Sequence, residues 1–149
     1  TQRADFAGVS IETIARIFRR RLEFMDQEER NERPPKEQAA ELFAAGDLTE
    51  EAISDALAAR NYEFAGEALA LLAGTDYETI EKVLDTKAAK AITALAWRAG
   101  LSMRMALRLQ QEMGRVSPKE LIYPRGGTDY PLSDEDLLWQ LEFLGLEAA

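Results

Sequence analysis

The chain has 149 residues, enough for one domain that buries most of its unfolded surface without staples. It holds neither cysteine nor histidine, which excludes disulfides and thiolate chemistry and removes the commonest general base and zinc ligand. The net charge of −9 is uneven: residues 87–115 carry a net +5, so a local patch can hold anions inside an acidic chain.

Thr1 to Val9 lacks the charged-then-apolar layout of a signal peptide. No stretch approaches the ~20 apolar residues of a membrane span, so a cytoplasmic location is expected. Residues 10–30 predict an N-terminal amphipathic helix, with Ser10 as its cap and Ile11, Ile14, Phe18, Leu22 and Met25 at spacings of three and four. The run Arg19-Arg20-Arg21 reads as a solvated face paired with Glu12, Glu23 and Asp26 rather than a lipid-docking one. Residues 31–36 read as a linker, because Gln27 to Glu37 is charged, lacks an apolar period and contains Pro34-Pro35.

Residues 37–113 carry a weak repeat. Ala-Gly pairs stand at Ala45-Gly46, Ala73-Gly74 and Ala99-Gly100, each closing an apolar run and each followed within three residues by Asp, Thr or Ser. Glycine supplies a left-handed C-cap and the polar residue caps the next helix, so the pattern predicts stacked helical hairpins. Asp47 or Thr49 starts one helix and Asn61 is expected to stop it. The partner helix 62–73 turns Phe64, Ala68, Leu69 and Leu72 inward. The next hairpin uses Tyr77, Ile80, Val83 and Leu84, then Ile92, Leu95, Ala96 and Trp97. A further helix, 102–113, begins after Ser102 and carries Met105, Leu109 and Met113.

Residues 114–132 form a loop with one short helical turn from Ser117-Pro118 to Ile122. Residues 133–145 predict a capping helix with Ser133 at its start and Asp134, Glu135 and Asp136 in its first turn. Because this helix closes the array, Trp139, Phe143 and Leu146 are expected in the core. No period-two strand pattern occurs. The fold class expected is all-α, a single domain over 1–149. Its architecture is a HEAT-like α-solenoid of antiparallel helical hairpins, flanked by the N-terminal and capping helices.

Repeats build extended concave surfaces, and no carboxylate or lysine constellation suggests catalysis, so the leading expectation is a non-enzymatic protein–protein interaction or scaffold module. Its partner-binding face is expected at Lys87, Lys90, Arg98, Arg104 and Arg108, which suit an acidic or phosphate-bearing partner. The same face could pair with the acidic ends of a second copy and give a homodimer. The alternative is a DNA-binding regulator of helix-turn-helix type over residues 92–113, with Arg104, Arg108, Gln110 and Gln111 reaching phosphates or base edges. The acidic pairs and triplets, Glu50-Glu51 and Asp134 to Asp136, read as helix-dipole partners rather than metal ligands, because no calcium-loop spacing accompanies them. No catalytic residue, cofactor or metal is expected.

The stretches Leu-Ala-Trp-Arg-Ala-Gly-Leu-Ser-Met-Arg (95–104) and Tyr-Pro-Leu-Ser-Asp-Glu-Asp-Leu-Leu-Trp-Gln-Leu-Glu-Phe-Leu-Gly (130–145) resemble an uncharacterised alphaproteobacterial family of helical-repeat proteins, a domain of unknown function. The likeness runs from about Thr49 to Gly145 and matches the C-terminal part of longer proteins. It implies an all-helical, HEAT-like array in a bacterial cytoplasm, and it transfers no catalytic residue.

Overall fold

The computed structural model describes residues 10–146, with side chains for 10–25 and 33–146. Thr1 to Val9, read above for a leader, and the side chain of Asp26 lie outside the described residues. Eight α-helices make up the described chain, and its only β feature is an isolated bridge between Arg125 and Asp129. The fold is all-α. Among the described residues no helix is long and apolar enough to cross a membrane.

The chain divides into two compact units, residues 1–34 and 35–149, where the sequence suggested one. Helix α1 (Ile11–Glu32) forms the first. Ser10 caps it by accepting the Thr13 N–H at 3.1 Å. The helix outlasts the expected boundary at residue 30, because Glu28, Glu29 and Arg30 are good helix formers and nothing stops the helix before Pro34. Its stripe of Ile11, Ile14, Phe18, Leu22 and Met25 is exposed, while Glu12, Arg16, Arg19, Arg20 and Glu23 share one polar face.

The second unit holds α2 (Pro35–Ala44), α3 (Glu50–Ala58), α4 (Tyr62–Ala73), α5 (Tyr77–Asp85), α6 (Ala89–Arg98), α7 (Met103–Glu112) and α8 (Asp134–Phe143). Pro35 sits at the first helical position, where its missing N–H costs nothing. Two helices form the centre. Helix α4 packs against α2, α3, α5 and α6, and α6 packs against α4, α5, α7 and α8. Both are rich in small buried residues (Ala65, Gly66, Ala68 and Ala70 in α4, Ala89, Ala91, Ala94 and Ala96 in α6), which lets neighbouring backbones approach closely. Around them Ile53, Leu57, Leu69, Ile80, Ile92, Leu95, Leu109, Leu137 and Leu141 are fully buried, each stabilising by about 1.5–3 kcal/mol.

Each helix from α2 to α7 is followed by a residue with a left-handed backbone. Gly46, Gly74 and Gly100 close α2, α4 and α6 at φ values of 75°, 72° and 77°. Arg60, Lys87 and Arg115 play the same left-handed part after α3, α5 and α7, at 58°, 53° and 48°. The stop after α3 is therefore Arg60 rather than Asn61, which instead caps α4 by accepting the Phe64 N–H. A cationic residue just past a helix C-terminus is favoured by the helix dipole, which offsets part of the strain a Cβ causes at positive φ. Thr49, not Asp47, caps α3, and Ser102 and Ser133 cap α7 and α8 as expected.

Two further expectations fail. The segment from Ser117 to Ile122 makes turns but no helix, held by a Glu120 N–H to Ser117 carbonyl bond at 2.8 Å. Trp139 and Phe143 are 60% and 77% exposed, not in the core. The burial of α8 is carried by Leu137 and Leu141, which face α6, and the helix leaves its aromatic side to solvent.

Candidate functional site

The five basic residues expected to form one face are placed in three settings. Arg98, at the end of α6, donates from Nε to the Ala73 carbonyl at the end of α4, 2.6 Å away. Arg104 and Arg108 come together on α7 in a cleft of roughly 290 Å³ shared with Glu50, Glu51 and Ser54 of α3. Arg108 is committed there, donating to Ser54 Oγ at 2.6 Å and pairing with Glu112 at 2.9 Å. Arg104 reaches the Gly127 carbonyl more loosely, at 3.4 Å. Lys87 and Lys90 are exposed and line neither cleft.

Carboxylates balance the Arg104–Arg108 cleft. Glu50 accepts from the Ser102 N–H at 2.6 Å and from Ser102 Oγ at 2.9 Å, so it ties the start of α3 to the cap of α7. Nearby, Tyr130 donates its hydroxyl to the Leu101 carbonyl at 2.7 Å. Burial raises the Tyr130 phenol well above its ordinary pKa, with the Glu50 charge adding to the effect.

Residues 92–113 do form two helices around Gly100, with Ser102 accepting the Met105 N–H. Gln110, expected to touch base edges, is fully buried. Its amide donates to Thr93 Oγ1 at 3.2 Å and the Ile122 carbonyl at 3.1 Å, and its oxygen accepts the Ile122 N–H at 2.8 Å. Gln110 thus pins the loop 114–132 to the core. Arg125 stiffens the same loop by exchanging backbone bonds with Asp129 and donating to the Pro131 carbonyl at 3.0 Å.

The larger cleft in this unit lies where α4, α6 and α8 meet. It encloses roughly 400 Å³ and is lined by Leu71, Leu72, Ala73, Gly74, Trp97, Arg98, Leu138 and Leu141. Leu71 and Trp97 stand three residues before Gly74 and Gly100, so each is the large apolar side chain one turn before its helix's closing glycine. Arg98 is the only ionisable residue in the lining, so the cleft has no acid–base pair. What the sequence did not give was where α8 packs: its Leu138 and Leu141 complete a wall that no local spacing reveals.

No curated protein and no solved structure matches the chain. The sequence model of a bacterial family does, over residues 2–121. Of the two stretches that carried the resemblance, 95–104 falls inside that segment and 130–145 outside it. The chain belongs to the family described as an uncharacterised protein conserved in bacteria (DUF2336).

Proposed function

We propose that this chain is a non-enzymatic protein–protein interaction module, a short HEAT-like array of helical hairpins that receives an acidic or phosphate-bearing partner. The observation that carries the reading is the cleft between α4, α6 and α8: an apolar floor of Leu71, Leu72, Trp97 and Leu138 with one guanidinium, Arg98, among them. Such a floor takes the apolar stripe of a partner helix, and the Arg98 guanidinium, which also holds the Ala73 carbonyl, gives the edge a positive charge that favours an acidic or phosphate-bearing partner. Of the basic residues singled out from sequence, Arg98 is the one placed beside an apolar cleft. Arg104 and Arg108 share theirs with Glu50 and Glu51, whose carboxylates repel an incoming anion. The DNA-binding reading draws less support, since Gln110 is buried and Arg108 is engaged by Ser54 and Glu112.

The test is capture from bacterial lysate, with and without nuclease, comparing wild type with an Arg98→Gln/Leu138→Asp double variant. A protein kept by the wild type in both lysates and lost by the variant supports the module and its cleft. Retention by the variant moves the site elsewhere, and recovery that disappears with nuclease supports DNA binding instead.

A further inference from the structure

On the outer side of α8, Trp139 and Phe143 stack on each other with ring centroids 5.8 Å apart and planes 17° from parallel. Exposed aromatic pairs of this size are uncommon, because about 150–250 Å² of apolar surface accompanies each ring system. The helix does not need them for its own attachment: Leu137 and Leu141, on the opposite side, are buried to 0% and 1% exposure. At 100° per residue, Glu135 and Glu142 fall on one side of the aromatic pair and Asp136 on the other. All three are exposed. From residue 126 to the end of the sequence there is no lysine or arginine. The patch is therefore an aromatic strip between two acidic edges.

We propose that this face of α8 docks a basic amphipathic helix of a partner protein, a surface separate from the cleft described above. Charge decides the occupant. Two copies of the face laid together would bring six carboxylates into one interface without a base among them, which disfavours self-association. A helix whose apolar stripe is edged by Lys or Arg meets both requirements: its stripe covers the rings, and its cations reach Glu135, Asp136 and Glu142 or sit on the ring faces. Tryptophan at the centre of such a patch is a common binding hot spot. The face lies beyond residue 121, outside the segment that the family model matches.

The experiment titrates the full chain against a fluorescein-labelled, 18-residue Leu–Lys amphipathic peptide and follows anisotropy. A Leu–Glu peptide of the same pattern is the control. The Leu–Lys peptide should bind, and a Trp139→Ala/Phe143→Ala variant, whose charge is unchanged, should weaken binding by at least tenfold. Glu135→Gln/Glu142→Gln should weaken it severalfold and flatten its salt dependence. Because the substituted side chains are exposed, the melting temperature of each variant checks that the fold is kept. Equal binding by the aromatic variant, or equal binding of the Leu–Glu peptide, overturns the proposal. So does sedimentation showing a dimer that the aromatic variant abolishes, which would assign the face to a second copy.

Discussion

Glu50 and Ser102 stand 52 residues apart in sequence, yet both oxygens of the one carboxylate are bonded to the other residue's N–H and hydroxyl. The bond joins α3 to α7, which the three helices α4, α5 and α6 separate in sequence. Hydrogen bonds to a charged group contribute more than neutral ones, but this pair is partly solvated, so about 1 kcal/mol is expected. Glu50→Gln should lower the melting temperature by roughly 2–4 °C. A double-mutant cycle of Glu50→Ala with Ser102→Ala should show a positive coupling energy of at least ~0.5 kcal/mol. Additive effects would mean that the two groups do not act together.

The left-handed residues predict opposite responses to opposite changes. Arg60→Gly and Arg115→Gly relieve a Cβ held at positive φ, worth about 1–2 kcal/mol, less the extra freedom glycine gains in the unfolded chain. Each should raise stability to urea by ~0.5–1 kcal/mol. Gly74→Ala should lower it by ~1 kcal/mol or more, although space for the methyl exists, with only an Arg98 nitrogen as near as 3.9 Å. If both kinds of substitution destabilise, the side chains of the arginines matter more than their backbone.

Gln110 should behave as a structural amide. Gln110→Ala leaves the Ile122 N–H and carbonyl without their partner and should cost about 2–4 kcal/mol, with protease sensitivity appearing first in residues 114–132. Gln110→Glu sets a buried carboxylate oxygen against the Ile122 carbonyl and should cost at least as much as alanine. An unchanged loop in limited proteolysis would contradict this assignment.

Asp76 gives α5 a pH-dependent cap. Its carboxylate accepts hydrogen bonds from the Thr79 side chain and, at 2.8 Å, from the Thr79 N–H, and these hold its pKa below the ordinary 3.8. A depressed carboxylate contributes stability above its unfolded pKa and loses it as pH falls through the folded value. Asp76→Asn keeps a capping oxygen without the charge. Thermal melts should therefore show wild type the more stable at pH 6, with the difference shrinking to nothing in strong acid. A difference independent of pH would refute the charge as its source.

Helix boundaries were legible where the signal is local. Ser10, Ser102 and Ser133 each accept the N–H three residues ahead, and the Ala-Gly pairs mark turns that only positive φ can make. Arg60, Lys87 and Arg115 were not legible, because a basic residue carries no hint of a left-handed backbone. The candidate site was legible only in pieces. The spacing around Gly74 and Gly100 pointed to Leu71 and Trp97, but the fit of α8 against α6 is a tertiary fact. The apolar content of α8 on every side said that two faces needed company. It could not say that Leu137 and Leu141 would face the core and Trp139 and Phe143 the solvent.

From α2 to α7, every junction is three to five residues long, and after each of α2 to α7 one residue makes the reversal. Such junctions have no slack to absorb added length, since an extra residue would rotate the following helix and turn its buried side outward. The stretch between α7 and α8 is different. It is anchored at Ile122 and Tyr130, and between those anchors Tyr123 and Arg125 to Asp129 are exposed. Added length there alters the Arg125–Asp129 exchange and the long Arg104 contact to Gly127 but need not rotate a helix. Relatives of this chain should therefore differ in length at 123–129 and differ elsewhere in this unit by substitution alone.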